Sequence, residues 1–202
     1  MSNGYYDGFP LNGGYAINDE TVHKFLKMST AEMDVTDIFR ADGKPKIRMN
    51  FETTLRGWVY SSTLNKVKGL GDYYYSHYIN GTSEAFSQFL LRHNKKRLRF
   101  FPGEFVMHRI SARNAGVDWL LIDEENPISS IQAGDSVIIS CPFSDFGVEH
   151  PEHTTLMEHC EKNGVPVLVD MAYFGMCRFI EVDLTYECIE EVTFSLGKAF
   201  PV

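Results

Sequence analysis

Several things are scarce or missing in these 202 residues, and each absence removes a class of function. The four cysteines, Cys141, Cys160, Cys177 and Cys188, never fall in Cys-x-x-Cys spacing. That speaks against a zinc ribbon or a dithiol redox motif and favours buried or free thiols in a reducing cytoplasm, the expected location. Lys and Arg number 19 against 27 Asp and Glu, a net charge of −8. General affinity for nucleic acid or an anionic membrane surface rewards clustered cations, so neither partner is expected. The single basic cluster, His93 to Arg99, reads as a solvated helix end, because cations suit helix C-termini. No apolar run is long enough to span a bilayer, and the start of the chain lacks the basic and apolar regions of a signal peptide. No Gly-x-Ser-x-Gly elbow occurs, which weakens a serine-hydrolase reading. His150, His153 and His159 invite a metal, but the last two are six apart and share no clear helical face, so no metal site is expected.

What is present reads as one globular α/β body. Apolar residues make up 44% of the chain, and 202 residues suffice to bury a sizeable core. Residues 1 to 74 form the less regular part, an N-terminal arm in which Thr21 to Met28 and Thr30 to Phe39 are candidate short helices. Tyr73 to Tyr78 is the densest aromatic cluster, and a packed arm and an oligomer surface explain it equally well. From residue 75 the pattern sharpens. Asn80-Gly81-Thr82-Ser83 opens a helix on which Phe86, Phe89 and Leu90 recur at helical spacing. Strands follow at Leu98 to Phe101, Trp119 to Ile122 and Ser136 to Cys141, with helices at Glu104 to Asn114 and Glu152 to Asn163. Gly164 stands where the second helix needs a C-terminal cap. Two apolar runs close the pattern, one ending in Asp170 and the other in Ser195-Leu-Gly-Lys198. Alternating strands and helices predict a mainly parallel sheet. Parallel strands deliver ligand contacts beyond their carboxyl ends, so Asp170 and Lys198 are expected at one rim.

Each candidate has a bland and a sharp reading. Lys198 is a surface lysine, or a nucleophile toward carbonyls with its pKa lowered at a partly apolar rim. Asp170 caps a turn, or pairs with a cation such as a protonated pyridine nitrogen, a bond worth about 1.5–3 kcal/mol. Gly81, Thr82 and Ser83 make an ordinary helix cap, or present free amides to a phosphate.

Taken together, Asp170-Met-Ala172-Tyr173-Phe-Gly175, the later Ser195-Leu-Gly-Lys198 and the upstream Gly81-Thr82-Ser83 helix start resemble the fold-type-I pyridoxal-phosphate aminotransferases (class I/II, aspartate-aminotransferase-like). The resemblance covers residues 75 to 202, the presumptive cofactor-binding large domain, and implies a three-layer α/β/α fold. It implies pyridoxal 5′-phosphate as cofactor, an amino acid and a 2-oxo acid as substrates, and a homodimer with its site at the subunit interface. Lys198 would form the Schiff base and shuttle a proton, Asp170 would hold the pyridine nitrogen protonated, and Tyr173 would donate to the phenolic oxygen. Gly81, Thr82, Ser83 and Ser195 would cup the phosphate, Phe105 would stack on the ring, and Ala172 would sit within the cofactor-binding motif. Ser144-Asp-Phe-Gly147 stands where the family has Asn-Pro-Thr-Gly, so Ser144 would give one weaker hydrogen bond to the phenolic oxygen or none. The chain stops just past Lys198, and the family's later arginines and C-terminal small domain have no counterpart. The resemblance therefore implies the N-terminal and central part of such an enzyme. Other pyridoxal-phosphate reactions (decarboxylation, elimination, condensation) and a non-catalytic protein on the same scaffold are the alternatives.

Overall fold

A computed structural model describes residues 53–54, 56–77 and 79–199. The two candidate helices before residue 40 lie outside the described residues. The centre of the molecule is a five-stranded sheet in the order β3-β2-β4-β5-β7, every neighbouring pair parallel. Its strands are β2 (Arg97–Phe100), β3 (Trp119–Leu121), β4 (Asp135–Ser140), β5 (Val167–Met171) and β7 (Ile189–Phe194). Two further short strands, β1 (Lys66–Lys68) and β6 (Glu181–Asp183), pair parallel in a separate ribbon.

The middle strands are buried on both faces, which is why they read as unbroken apolar runs. All six residues of β4 and all five of β5 are buried. Alternation along the strand then sorts the side chains. Val137, Ile139, Val167, Val169 and Met171 join one core with Leu156, Met157 and Cys160 of helix α3 (His153–Asn163). Ile138 and Leu168 join the opposite core with Phe86, Phe89 and Leu90 of α1 (Thr82–Arg92) and Ala112 of α2 (Val106–Asn114). Helices thus cover both faces, giving three α/β/α layers. Gly164 ends α3 in the left-handed conformation at φ +60°.

Residues 56–72 pack onto this body: Val59 and Leu70 enter the first core, and Asn65 ties Phe174, Cys177 and Ile180 through its amide. Of the aromatic cluster, Tyr73 is half-buried, its hydroxyl within reach of the Leu184 and Ile189 carbonyls, while Tyr74 and Tyr75 are exposed. The basic cluster is a solvated helix end only in part: Asn94, Lys95 and Arg97 are exposed just past α1, but charge pairing and burial also enter. Arg92 and His93 pair with Glu191 and Glu190, Arg97 pairs with Asp135 at 2.9 Å, and Arg99 is fully buried. Arg99 reaches Asp135, the carbonyls of Leu121 and Asn126, and Ser130, pinning the loop that follows β3.

The chain leaves β2 toward β3 on one side, then returns to β4 and proceeds to β5 and β7 on the other. Beyond the carboxyl ends of β2 and β4 lies the switch point where open α/β sheets form their ligand crevices.

Candidate active site at the carboxyl rim of the sheet

Asp170 is the fourth residue of β5, 4% exposed, in register with Thr193 of β7. Alternation turns its side chain to the α1/α2 face. There Oδ1 accepts from the Ala172 amide at 3.0 Å and the Thr193 hydroxyl at 3.2 Å, while Oδ2 lies 3.4 Å from Nε2 of His108 on α2. The carboxylate is held in one orientation from three directions.

The next turn of chain brings Tyr173, at the start of a 3-10 turn over Phe174–Met176. The short helix α4 (Leu196–Ala199) follows β7 on the same rim. Lys198 places its Nζ 5.3 Å from the Tyr173 ring centre, a cation–π contact. Tyr173 and Lys198 are therefore neighbours in space, Asp170 lies three residues before Tyr173 in the chain, and Ser195 stands between β7 and α4.

The helix start at Gly81 reaches the same level. The C-terminal end of α1 is fixed low on β7 by the Arg92–Glu191 and His93–Glu190 pairs. Rising about 1.5 Å per residue, the helix from Arg92 back to Thr82 climbs about 15 Å. The strand from Glu191 to Ser195 climbs about 13 Å at about 3.3 Å per residue. On ideal rises, the start of α1 is expected near the level of Ser195. Gly81 sits at φ +84° before the helix, and no side chain caps this N-terminus. Glu84 reaches back only to the Asn80 amide, at 2.8 Å. The result is an eleven-residue helix aimed at the rim with its leading end uncapped, an arrangement suited to an anion.

Phe105 caps α2, with its ring 5.9 Å from His108 and edge-on to it. Ser144 is exposed on the loop after β4, and its hydroxyl donates to Ser140 at 3.4 Å. Ser140 in turn donates to Glu104, from its amide at 2.7 Å and its hydroxyl at 2.5 Å. The residues that sequence reasoning passed over are Glu104, His108, Ser140 and Thr193. Two carry a legible signal: Glu104 and His108 are four apart, the spacing of neighbours on one helical face. The three histidines examined for a metal find unrelated partners. His150 stacks on Phe101, His153 lies 3.3 Å from Glu149, and His159 meets the Ile131 carbonyl.

No family model matches the sequence, and no curated protein does. Solved structures do match the fold. A protein from Burkholderia pseudomallei K96243, provisionally assigned as an aminotransferase, superposes with TM-score 0.52 at 14% identity, over 82% of this chain and 48% of that one. The aromatic aminotransferase of Pyrococcus horikoshii OT3 gives TM-score 0.49 at 16% identity, over 60% of this chain and 38% of that one. The histidinol-phosphate aminotransferase of Clostridium acetobutylicum gives 0.39 at 24%, over 48% and 32%. The chain spans from 32% to 48% of the length of these structures. Its fold is the three-layer large-domain fold of the fold-type-I aminotransferases. Among the described residues, no helix is long and apolar enough to cross a membrane.

Proposed function

We propose that the rim binds pyridoxal 5′-phosphate and that the whole protein moves an amino group between an amino acid and a 2-oxo acid. The observation that carries this reading is the three-point-held Asp170 carboxylate, three residues before a tyrosine whose ring centre lies 5.3 Å from Lys198 Nζ. The donor set fits the group: a buried, three-point-held carboxylate suits a pyridinium N–H, bare helix amides suit a phosphate, and a primary amine suits an aldehyde. When bound, the cofactor supplies an electron sink that lets the amino carbon lose and regain a proton.

The chain's own residues then have distinct tasks. Asp170 accepts from the ring nitrogen and keeps that proton in place, with Ala172 and Thr193 preventing its carboxylate from turning. Lys198 attaches the cofactor through Nζ and carries a proton to and from the substrate carbon. Tyr173 donates its hydroxyl proton to the ring's phenolic oxygen and lies against the lysine. The amides of Thr82 and Ser83, with the Ser195 hydroxyl, hold the phosphate, and Gly81, whose own amide donates to the Ile79 carbonyl at 2.9 Å, leaves room for it. Phe105 covers one face of the ring, and Ser144 supplies a weak donor near the phenolic oxygen. The substrate carboxylate and the second subunit of a homodimer belong to the whole protein.

The test is to incubate purified chain with pyridoxal phosphate, reduce with borohydride and map the added mass. Label on Lys198 is expected, with loss of all label in Lys198→Ala. Label that persists in that variant, or that maps to other lysines, rejects the assignment.

A further inference from the structure

The rim contains a second buried carboxyl that the proposed chemistry does not use. Glu104 follows β2 at the switch point, and both its side chain and that of His108 are fully buried. Its Oε1 accepts from the Ser140 amide and its Oε2 from the Ser140 hydroxyl, so it bridges the ends of β2 and β4. The same Oε2 lies 3.7 Å from Nδ1 of His108. That distance is within electrostatic reach but too long for a hydrogen bond, and Nδ1 is left buried without a partner. The other nitrogen of the ring, Nε2, lies 3.4 Å from Asp170. One imidazole therefore stands between two carboxyls, with Phe86 edge-on to it at 4.7 Å and Phe105 closing another side.

We propose that Glu104 is a positioning residue: it shares one proton with Nδ1 of His108 and so commits the Nε2 proton of that ring to Asp170. Two arrangements give Nδ1 a partner once Oε2 closes the 3.7 Å gap. In one, Glu104 is ionised and accepts from a doubly protonated ring. In the other, Glu104 carries the proton and donates it to a bare Nδ1. Both leave Nε2 protonated and donating to Asp170. The excluded arrangement, a bare Nε2 facing the Asp170 carboxylate, sets a lone pair against a buried acceptor. Burial pushes the Glu104 carboxyl above the usual carboxylate range, against the pull of His108 and of the two Ser140 donors. A carboxyl so placed can hold the shared proton at either end. The purpose assigned to the Nε2 proton, fixing the partner of a ring nitrogen, rests on the reading above; its location does not.

The experiment therefore uses chain without cofactor. Imidazole ¹⁵N–¹H spectra are recorded near neutral pH on ¹⁵N-histidine-labelled wild type, Glu104→Gln and Glu104→Asp, and the His108 signals are identified by their loss in His108→Gln. Wild type is expected to show a protonated Nε2 and an Nδ1 at a partly protonated position. In Glu104→Gln the Ser140 amide, which can only donate, keeps the side-chain oxygen and turns the NH2 toward the ring, so Nδ1 moves to the bare-nitrogen position while Nε2 stays protonated. Glu104→Asp retains a carboxylate and keeps Nδ1 near wild type, an outcome that mere packing of the loop does not produce. An Nδ1 signal indifferent to Glu104→Gln, or an Asp variant that follows the Gln variant, overturns the proposal. So does a bare Nε2 in wild type, which needs no variant to fold. A chain that takes up cofactor on Lys198 but shows a bare Nε2 keeps the aminotransferase reading and loses this one. A chain that refuses cofactor but shows the shared proton does the reverse.

Discussion

Acid should destabilise this protein through His153, and the size of the effect follows from its surroundings. The ring opens α3 and its side chain is 3% exposed. Nε2 has no hydrogen-bond partner. Burial, aided by neighbouring His150, lowers the ring's pKa from 6.5 to about 4. Glu149 lies 3.3 Å from Nδ1, but burial pushes its own carboxyl upward, so it loses charge as acid is added and offers limited rescue. The sign is fixed by which state takes up the proton. Above about pH 6.5 the ring is neutral in both states and contributes nothing to pH dependence. As pH falls from there the unfolded chain binds a proton that the folded chain refuses, and stability drops until about pH 4. The full gap corresponds to a ceiling of about 3 kcal/mol, of which about 2 kcal/mol appears between about pH 7.5 and pH 5. Other buried groups are shifted too: His150, lowered by burial, acts in the same sense, and Glu104 and Glu149, raised by burial, act in the opposite one. The informative quantity is therefore a difference between two proteins. Urea unfolding followed by tryptophan fluorescence, on wild type and His153→Phe at both pH values, should give a pH-dependent loss smaller by about 2 kcal/mol in the variant. Equal losses in the two proteins would refute the reasoning.

Two further outcomes follow from local geometry. Gly103 sits at φ +87°, and a Cβ there would lie 2.4 Å from Oδ2 of Asp145. Asp145 is exposed and can swing aside, so Gly103→Ala should cost about 1–3 kcal/mol, mostly as backbone strain, in the same urea assay; a cost of only a few tenths would mean the loop relaxes freely. Burial pushes Cys141 and Cys160 up to about 12 and raises Cys188 as well, whereas Cys177 is partly exposed and raised less. Native alkylation near neutral pH, read by peptide mass mapping, should label Cys177 first and the other three only in denaturant, and equal rates at all four would contradict the packing.

The regular elements were legible because their causes are local. Apolar runs too long for alternation marked β4 and β5, and a glycine after a polar helix marked the end of α3, so boundaries moved by only a residue or two. The ribbon of β1 with β6 was not legible. Lys66-Val-Lys68 and Glu181-Val-Asp183 are three-residue strands whose pairing is written across a separation of over a hundred residues, in the complementary contacts of Lys66 with Glu181 and Lys68 with Asp183. Arg99 was hidden for a related reason: its burial depends on Asp135 and on carbonyls of a distant loop, none of which composition reveals. At the rim, the residues that touch the proposed ligand announce themselves by motif. The residues that orient them announce themselves less: only the four-residue spacing of Glu104 and His108 hints at a pair, and Ser140 and Thr193 are ordinary side chains until the sheet order brings β2, β4, β5 and β7 side by side.

That sheet order also explains why the polar residues are worth keeping. Ser144, Ser140, Glu104, His108, Asp170 and Thr193 form one chain of polar contacts across the carboxyl ends of four strands, at distances from 2.5 to 3.7 Å. Its interior members are buried against Phe86 and the apolar core around it. A buried polar network that leaves an atom unsatisfied stabilises a fold less than apolar packing of the same volume would. Here the long link, at His108 Nδ1, is the one that can tighten around a proton, and a single further contact, from Nε2 of the same ring, joins it to Asp170. A network built for folding alone would be expected to place its weakest bond at the solvated end, at Ser144, rather than at its centre. The position of the strain argues that the chain of groups serves Asp170.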